Sequence, residues 1–274
     1  MSLQTKSITI LLVATGLPLA AQWLSHPDPR TPHTDDGRTD LAAPAPHIEG
    51  KVDLSGVWQA EPTSISEFTR VLGVDLVKVQ IDLSDITKHA INVFWGTEPG
   101  EEPLRPEAAS ILQHRVRAPA ERPLTHCLPI GVPAVMLTYA FKMIQTPREI
   151  VVLSETGDPS RQIYTDGRQL PKEPEPAWMG YSVGTWEGDT LIVETTGFKE
   201  KSWLDVIGHP RSESMCITER YRRRDFGHMD LEVTFDDPKY YTRPFTFKAG
   251  LRLIPDSDVL EYVCAENEKD RAHM

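Results

Sequence analysis

Cysteine is scarce in this chain, with three residues among 274. That excludes a scaffold built from disulfides, and only one internal bridge can form. Of Cys127, Cys216 and Cys264, the expected pair is Cys127 with Cys264. Long apolar runs are also missing. Beyond the N-terminus no stretch is long enough to cross a bilayer, so no membrane span is expected once a signal is cleaved. Positive charge is short as well. With 29 Lys+Arg against 40 Asp+Glu, the net charge is −11, so the broad basic surface that nucleic acid requires is lacking and no such partner is expected. The sequence contains no Walker loop, no Gly-x-Gly-x-x-Gly and no His-Glu-x-x-His. Gly180-Tyr181-Ser182-Val183-Gly184 is placed between candidate strands and is not read as a nucleophile elbow.

What is present is globular: 39% hydrophobic and 25% charged residues. Residues 1–24 read as a secretory signal peptide. Lys6 supplies the positive start, Ile8 to Ala20 the apolar segment, and Ala20-Ala21 the small residues near a cleavage point. The mature protein is therefore expected to be periplasmic or secreted, where a disulfide persists. Residues 25–50, with Pro27, Pro29, Pro32, Pro44 and Pro46, read as a disordered proline-rich linker. A single β-barrel domain is expected over 51–270, opening at Asp53-Leu54-Ser55-Gly56-Val57-Trp58.

Within that domain the stretch from Val71 to Ile81 is apolar but of uncertain type, and Pro106 to Val116 predicts a short helix. From 138 onward the pattern is β. Strands are predicted at 139–145, 149–155, 160–166, 181–186, 189–196, 216–224, 229–236, 241–248 and 258–264, separated by turns such as Gly157-Asp158-Pro159 and Glu187-Gly188-Asp189. Short strands at this spacing predict a mainly β fold, an antiparallel barrel or sandwich, of which a barrel with a short N-terminal helical insertion is the expected form.

Parity locates the titratable groups. Glu219 shares a strand face with Ile217 and Tyr221, so it points inward if they do. Glu261 lies between Val259 and Val263, with Leu260, Tyr262 and Cys264 on the opposite face; both faces are apolar enough to be buried, so Glu261 is expected inside. Buried carboxylates need partners, and Arg161, Arg168, Arg220 and Arg222 are available. Trp178, Tyr181, Trp186 and Trp203 cluster in the same region and suit a flat organic ligand. His209 is an acid/base candidate. A strand of this length separates it from His228 by about 25–30 Å, so no metal site and no cofactor is expected.

Several stretches resemble a family of uncharacterised exported bacterial proteins: Arg161 to Arg168, Trp178 to Gly184, Trp186 to Leu191, Gly208 to Glu213 and Glu219 to His228. The resemblance covers roughly 125–270 and implies export but no reaction. Gly56-Val57-Trp58 and Thr165-Asp166 are similar to lipocalin motifs, which implies a lipocalin-like barrel with an interior ligand site. Taken together, these readings point to a metal-independent acid/base enzyme, an isomerase, lyase or hydrolase, acting on a small aromatic or apolar organic substrate. Glu219 or Asp166 would be the acid or base and His209 the proton shuttle. Arg161 or Arg220 would steady an anionic intermediate, while Trp178, Tyr181, Trp186, Trp203 and Glu261 line the substrate. The alternative is a non-catalytic carrier with the same cavity, and a third reading is an interaction module tethered near the envelope.

Overall fold

The fold was taken from a computed structural model, which describes residues 27–72, 87–98, 100–156 and 159–264. The signal segment, most of the apolar stretch after Val71 and the Gly157-Asp158 turn lie outside the described residues.

Two short strands, β1 (His47–Ile48) and β2 (Lys51–Val52), form a hairpin before the barrel. Nine strands then close into one barrel in chain order: β3 (Gly56–Ala60), β4 (Phe141–Gln145), β5 (Glu149–Ser154), β6 (Arg161–Tyr164), β7 (Tyr181–Glu187), β8 (Thr190–Thr196), β9 (Cys216–Arg223), β10 (His228–Asp236) and β11 (Phe245–Leu253). The last strand pairs with the first through Leu251–Ala60, Arg252–Gln59 and Leu253–Trp58.

The expected all-antiparallel arrangement needs one correction. Strand direction must alternate around an antiparallel ring, and an odd number of strands cannot do so throughout. The mismatch falls between β6 and β7, which run parallel and pair only through Ile163–Ser182 and Tyr164–Val183. Parallel neighbours need a crossover, and the proline-rich segment 165–180 supplies it.

Period-two alternation builds the core. On β10, Met229, Leu231, Val233 and Phe235 are buried while Asp230, Glu232 and Thr234 are half-buried on the outer face. Inward residues of the other strands complete a filled interior that includes Trp58, Phe141, Tyr221 and Phe235. The expected hollow is therefore occupied by side chains, as in other small barrels.

Irregular structure gathers at one end. Between β3 and β4 lie α1 (Ile65–Leu72), α2 (Lys88–Ile91), α3 (Pro106–Arg117) and α4 (Val135–Thr138). The β8–β9 and β10–β11 loops emerge at that same end and join the helices by main-chain bonds: Val206 N to Ala90 O at 2.9 Å and Arg105 N to Tyr240 O at 2.8 Å. The α3 helix matches expectation, with Pro106 at its first turn and Arg115 and Arg117 in its last.

Residues 27–50, read above as a disordered linker, lie against the opposite end. Phe226 N bonds to Ala43 O and Gly227 N to Leu41 O, each at 2.7 Å. Here main-chain pairing substitutes for the apolar burial that the segment lacks.

The expected strand at 258–264 does not form; 254–264 is irregular, and Glu261 is exposed. Apolar residues on both faces carried that expectation, but a closed barrel offers no edge for another strand to join. Cys127–Cys264, with Cα atoms 5.6 Å apart, ties this segment to the capped end, and Cys216 is free. The strand expected at 241–248 begins later, because Tyr241 bridges to Leu104 instead.

Candidate functional site

The parity argument for Glu219 holds. Its carboxylate lies inside the barrel in a two-pronged pairing with Arg161: Nη1 donates to Oε1 at 3.0 Å and Nη2 to Oε2. Tyr221 donates its hydroxyl to Glu219 Oε1 at 2.7 Å. Arg161 Nε donates to Ser182 Oγ at 3.2 Å and Nη2 to Thr195 Oγ1 at 2.9 Å. The network thus crosses β6, β7, β8 and β9 in one arc. Burial alone would lower the Arg161 pKa, but the charge and hydrogen bonds of Glu219 outweigh it and hold it above its ordinary value. Burial, followed by the Glu219 charge, pushes the Tyr221 hydroxyl well up. Every polar atom near Glu219 is committed, which suits a structural pair better than a free acid or base. Ser182 is the middle of a Gly-x-Ser-x-Gly match, but it sits inside β7 with its hydroxyl bound to Arg161 and Thr195, so no nucleophile elbow exists there.

Asp166 is also spoken for. In the turn after β6 it receives Arg168 Nε at 2.9 Å and Nη2 at 2.7 Å, and this pairing holds its carboxyl well below the usual carboxylate range. Arg220 lies on the outer barrel face, 3.3 Å from Glu187. Trp186, opposite Leu191 and on the same strand face as Ser182, packs partly buried against the core, and Trp203 is buried in the cap beneath Arg115. The structure does not bring these residues together with Glu219 or Glu261.

It does bring Trp178 and Tyr181 together. Both line a groove of about 340 Å³ on the outer wall at the parallel β6–β7 seam, with Tyr164, Met179, Gln162 and Lys199. Tyr164 and Tyr181 have ring centroids 5.4 Å apart. Arg168 braces them: its guanidinium lies 3.7 Å from the Tyr164 ring centre, and Nη1 donates to the Tyr181 hydroxyl at 3.1 Å. Lys199 stands over Trp178 at 5.6 Å. Gly180 lets the chain turn here: its φ is +66°, and a Cβ would come within 2.8 Å of the Thr196 carbonyl oxygen.

His209 lies elsewhere, buried in the cap. Its Nδ1 donates to Asp205 Oδ2 at 2.6 Å. Asp205 also accepts from the main-chain N–H groups of Val93, Gly208 and His209. A carboxylate accepts, so Nδ1 carries a proton toward Asp205. Nε2 has no partner among the described residues. Phe94 packs edge-on against the ring at 5.0 Å and also lines a cleft of about 410 Å³ beside His89 and Phe247. Sequence reasoning missed Asp205, although the Asp205-x-x-Gly208-His209 spacing was visible. It also gave no role to Tyr164, Ser182, Thr195 or Arg211.

The main clefts among the described residues open on the wall and at the capped end, and Glu219 lines none of them. No group of acids, cysteines and histidines suited to a metal ion occurs among the described residues. A comparison with protein-family models, curated proteins and solved structures finds no match.

Proposed function

We propose that this is an exported barrel protein that binds a small, flat organic molecule in the wall groove beside Trp178 and Tyr181. The observation that carries the reading is the convergence of Trp178, Tyr164 and Tyr181 on one groove, two of them braced by Arg168. Aromatic faces give large contact area with little loss of side-chain freedom. A lipocalin-like interior cavity does not enter this reading, since the interior is filled. Export is supported by the Cys127–Cys264 bridge, which suits an oxidising compartment.

Saturation-transfer NMR with 2-naphthalenemethanol as probe tests the groove. Binding should be saturable in the native chain and lost in Trp178→Ala. Absence of binding, or equal binding to both chains, would overturn the proposal.

A second reading is metal-independent acid/base catalysis, and His209 favours it. A histidine oriented through Nδ1 by a saturated aspartate, with Nε2 unpartnered, has the form of a general base. Its test is the conversion of a periplasmic small-molecule extract by the native chain and by His209→Gln. Conversion by the native chain alone supports catalysis, and identical profiles remove it.

A further inference from the structure

Among the described residues, Arg211 is the one buried side chain left with two polar atoms unpartnered. It is fully buried in the cap, at 0% exposure. Its Nη2 donates to the main-chain oxygens of Val132 and Trp203, the latter at 3.1 Å. Its guanidinium carbon lies 4.7 Å from the Phe198 ring centre. Nε and Nη1 have no partner among the described residues. A buried guanidinium with unmet N–H groups and no bonded carboxylate is costly.

The neighbouring charges do not meet that demand. Asp237 acts on Arg211 only through space. Its oxygens are taken by Ser212 N at 2.8 Å, Ser212 Oγ at 2.7 Å, Lys239 N at 3.1 Å and Tyr240 N at 3.3 Å. Asp205 is saturated by His209, Gly208 and Val93. Tyr241, which acts on Arg211 through space, gives its hydroxyl proton to Pro210 O at 2.7 Å.

A second cation adds to the first. Arg115 of α3 is half-buried, stacks over Trp203 at 5.0 Å and donates to Gly208 O at 3.2 Å. It has no bonded carboxylate among the described residues, and its charge acts on Arg211. Gly208 brings it close: φ is +111°, and a Cβ there would sit 2.9 Å from the Arg115 Cβ. Burial is the main cause that pushes Arg211 down to about 9.

We infer that Arg211, supported by Arg115, forms a buried site for a small monovalent anion, either a carboxylate or a halide. Such an ion accepts from several N–H groups at once and supplies the missing counter-charge, and the planar guanidinium suits a carboxylate particularly well. The site is separate from the wall groove and does not rest on that reading.

The test is calorimetric titration of the full chain with acetate and, separately, with bromide at fixed ionic strength. One saturable site for either anion is expected. Affinity should fall at least about tenfold in Arg211→Met, the loss expected when a charged hydrogen-bond donor is removed. Trp178→Ala should leave it unchanged. If Arg211→Met fails to fold, Arg115→Met, altered at a half-buried position, should weaken uptake of the same anion. Crystals soaked in sodium bromide should show an anomalous peak against Arg211 Nε or Nη1. Failure of both anions to saturate, with no such peak, overturns the site.

Discussion

Arg161 on β6 and Glu219 on β9 meet inside the barrel across the two intervening strands, and both side chains are almost wholly removed from solvent. The pair spans the only parallel junction among the described barrel strands. That seam has two paired positions, Ile163–Ser182 and Tyr164–Val183, where β9 and β10 share a full-length ladder. Ser182 and Thr195 bond to the same guanidinium. The network thus reinforces the place where strand pairing is shortest.

Glu219→Gln should therefore act on stability. It leaves Arg161 buried without a counter-charge, a change that costs about 3–5 kcal/mol. Guanidinium denaturation should show that loss, while a double change to apolar residues at 161 and 219 should recover part of it. A midpoint unchanged from the native chain would show that the pair contributes nothing.

His89 should make stability depend on pH. It is buried, stacked on Phe247 at 4.4 Å, and pushed down from 6.5 to about 4, first by burial and then by Lys88. The folded pKa lies below the unfolded one, so the unfolded chain binds more protons between these values. The contribution is fully present above about 6.5 and is lost as pH falls toward 4, amounting to something on the order of 2–3 kcal/mol. His89→Phe should flatten the curve in that window, as measured by urea unfolding at successive pH values. An unchanged slope would contradict the assignment.

The Cys127–Cys264 bridge should stabilise locally. It joins residues 137 apart in sequence, yet segment 254–264 adds no strand and is held otherwise by contacts such as Leu260 N to Glu155 Oε1 at 2.9 Å. Hydrogen exchange after reduction should show lost protection in 254–264 with β9 and β10 still protected. Equal loss throughout would mean that the bridge holds the whole barrel.

Gly180→Ala should disturb the groove and the fold together. The new Cβ meets the Thr196 main-chain oxygen and the side chains of Phe198 and Thr195, all at 2.8 Å, in a left-handed backbone conformation. Strain on the order of 2–3 kcal/mol is expected, seen as a lower melting temperature and weaker binding of the naphthalene probe. Native values for both would refute the tight packing at this turn.

Much of the fold was legible along the chain, because alternation is a local property. The pattern of β10 reports one packed and one solvated face without reference to any other strand, and the inward direction of Glu219 follows from Ile217 and Tyr221 beside it. The helix at Pro106 is equally local, resting on its first-turn proline and its apolar spacing. Pairing is a different matter. Nothing near Glu219 in sequence announces Arg161, and nothing near His209 distinguishes Asp205 from the other acids, since both partnerships depend on loops and strands that meet only in three dimensions. Closure of the ring left residues 258–264 without an edge, exposed Glu261 and required one parallel seam, the one beside which Trp178 and Tyr181 come together. Side-chain direction was thus set by the chain itself, whereas the occupancy of each buried position was decided by strand count and closure, which no single segment encodes.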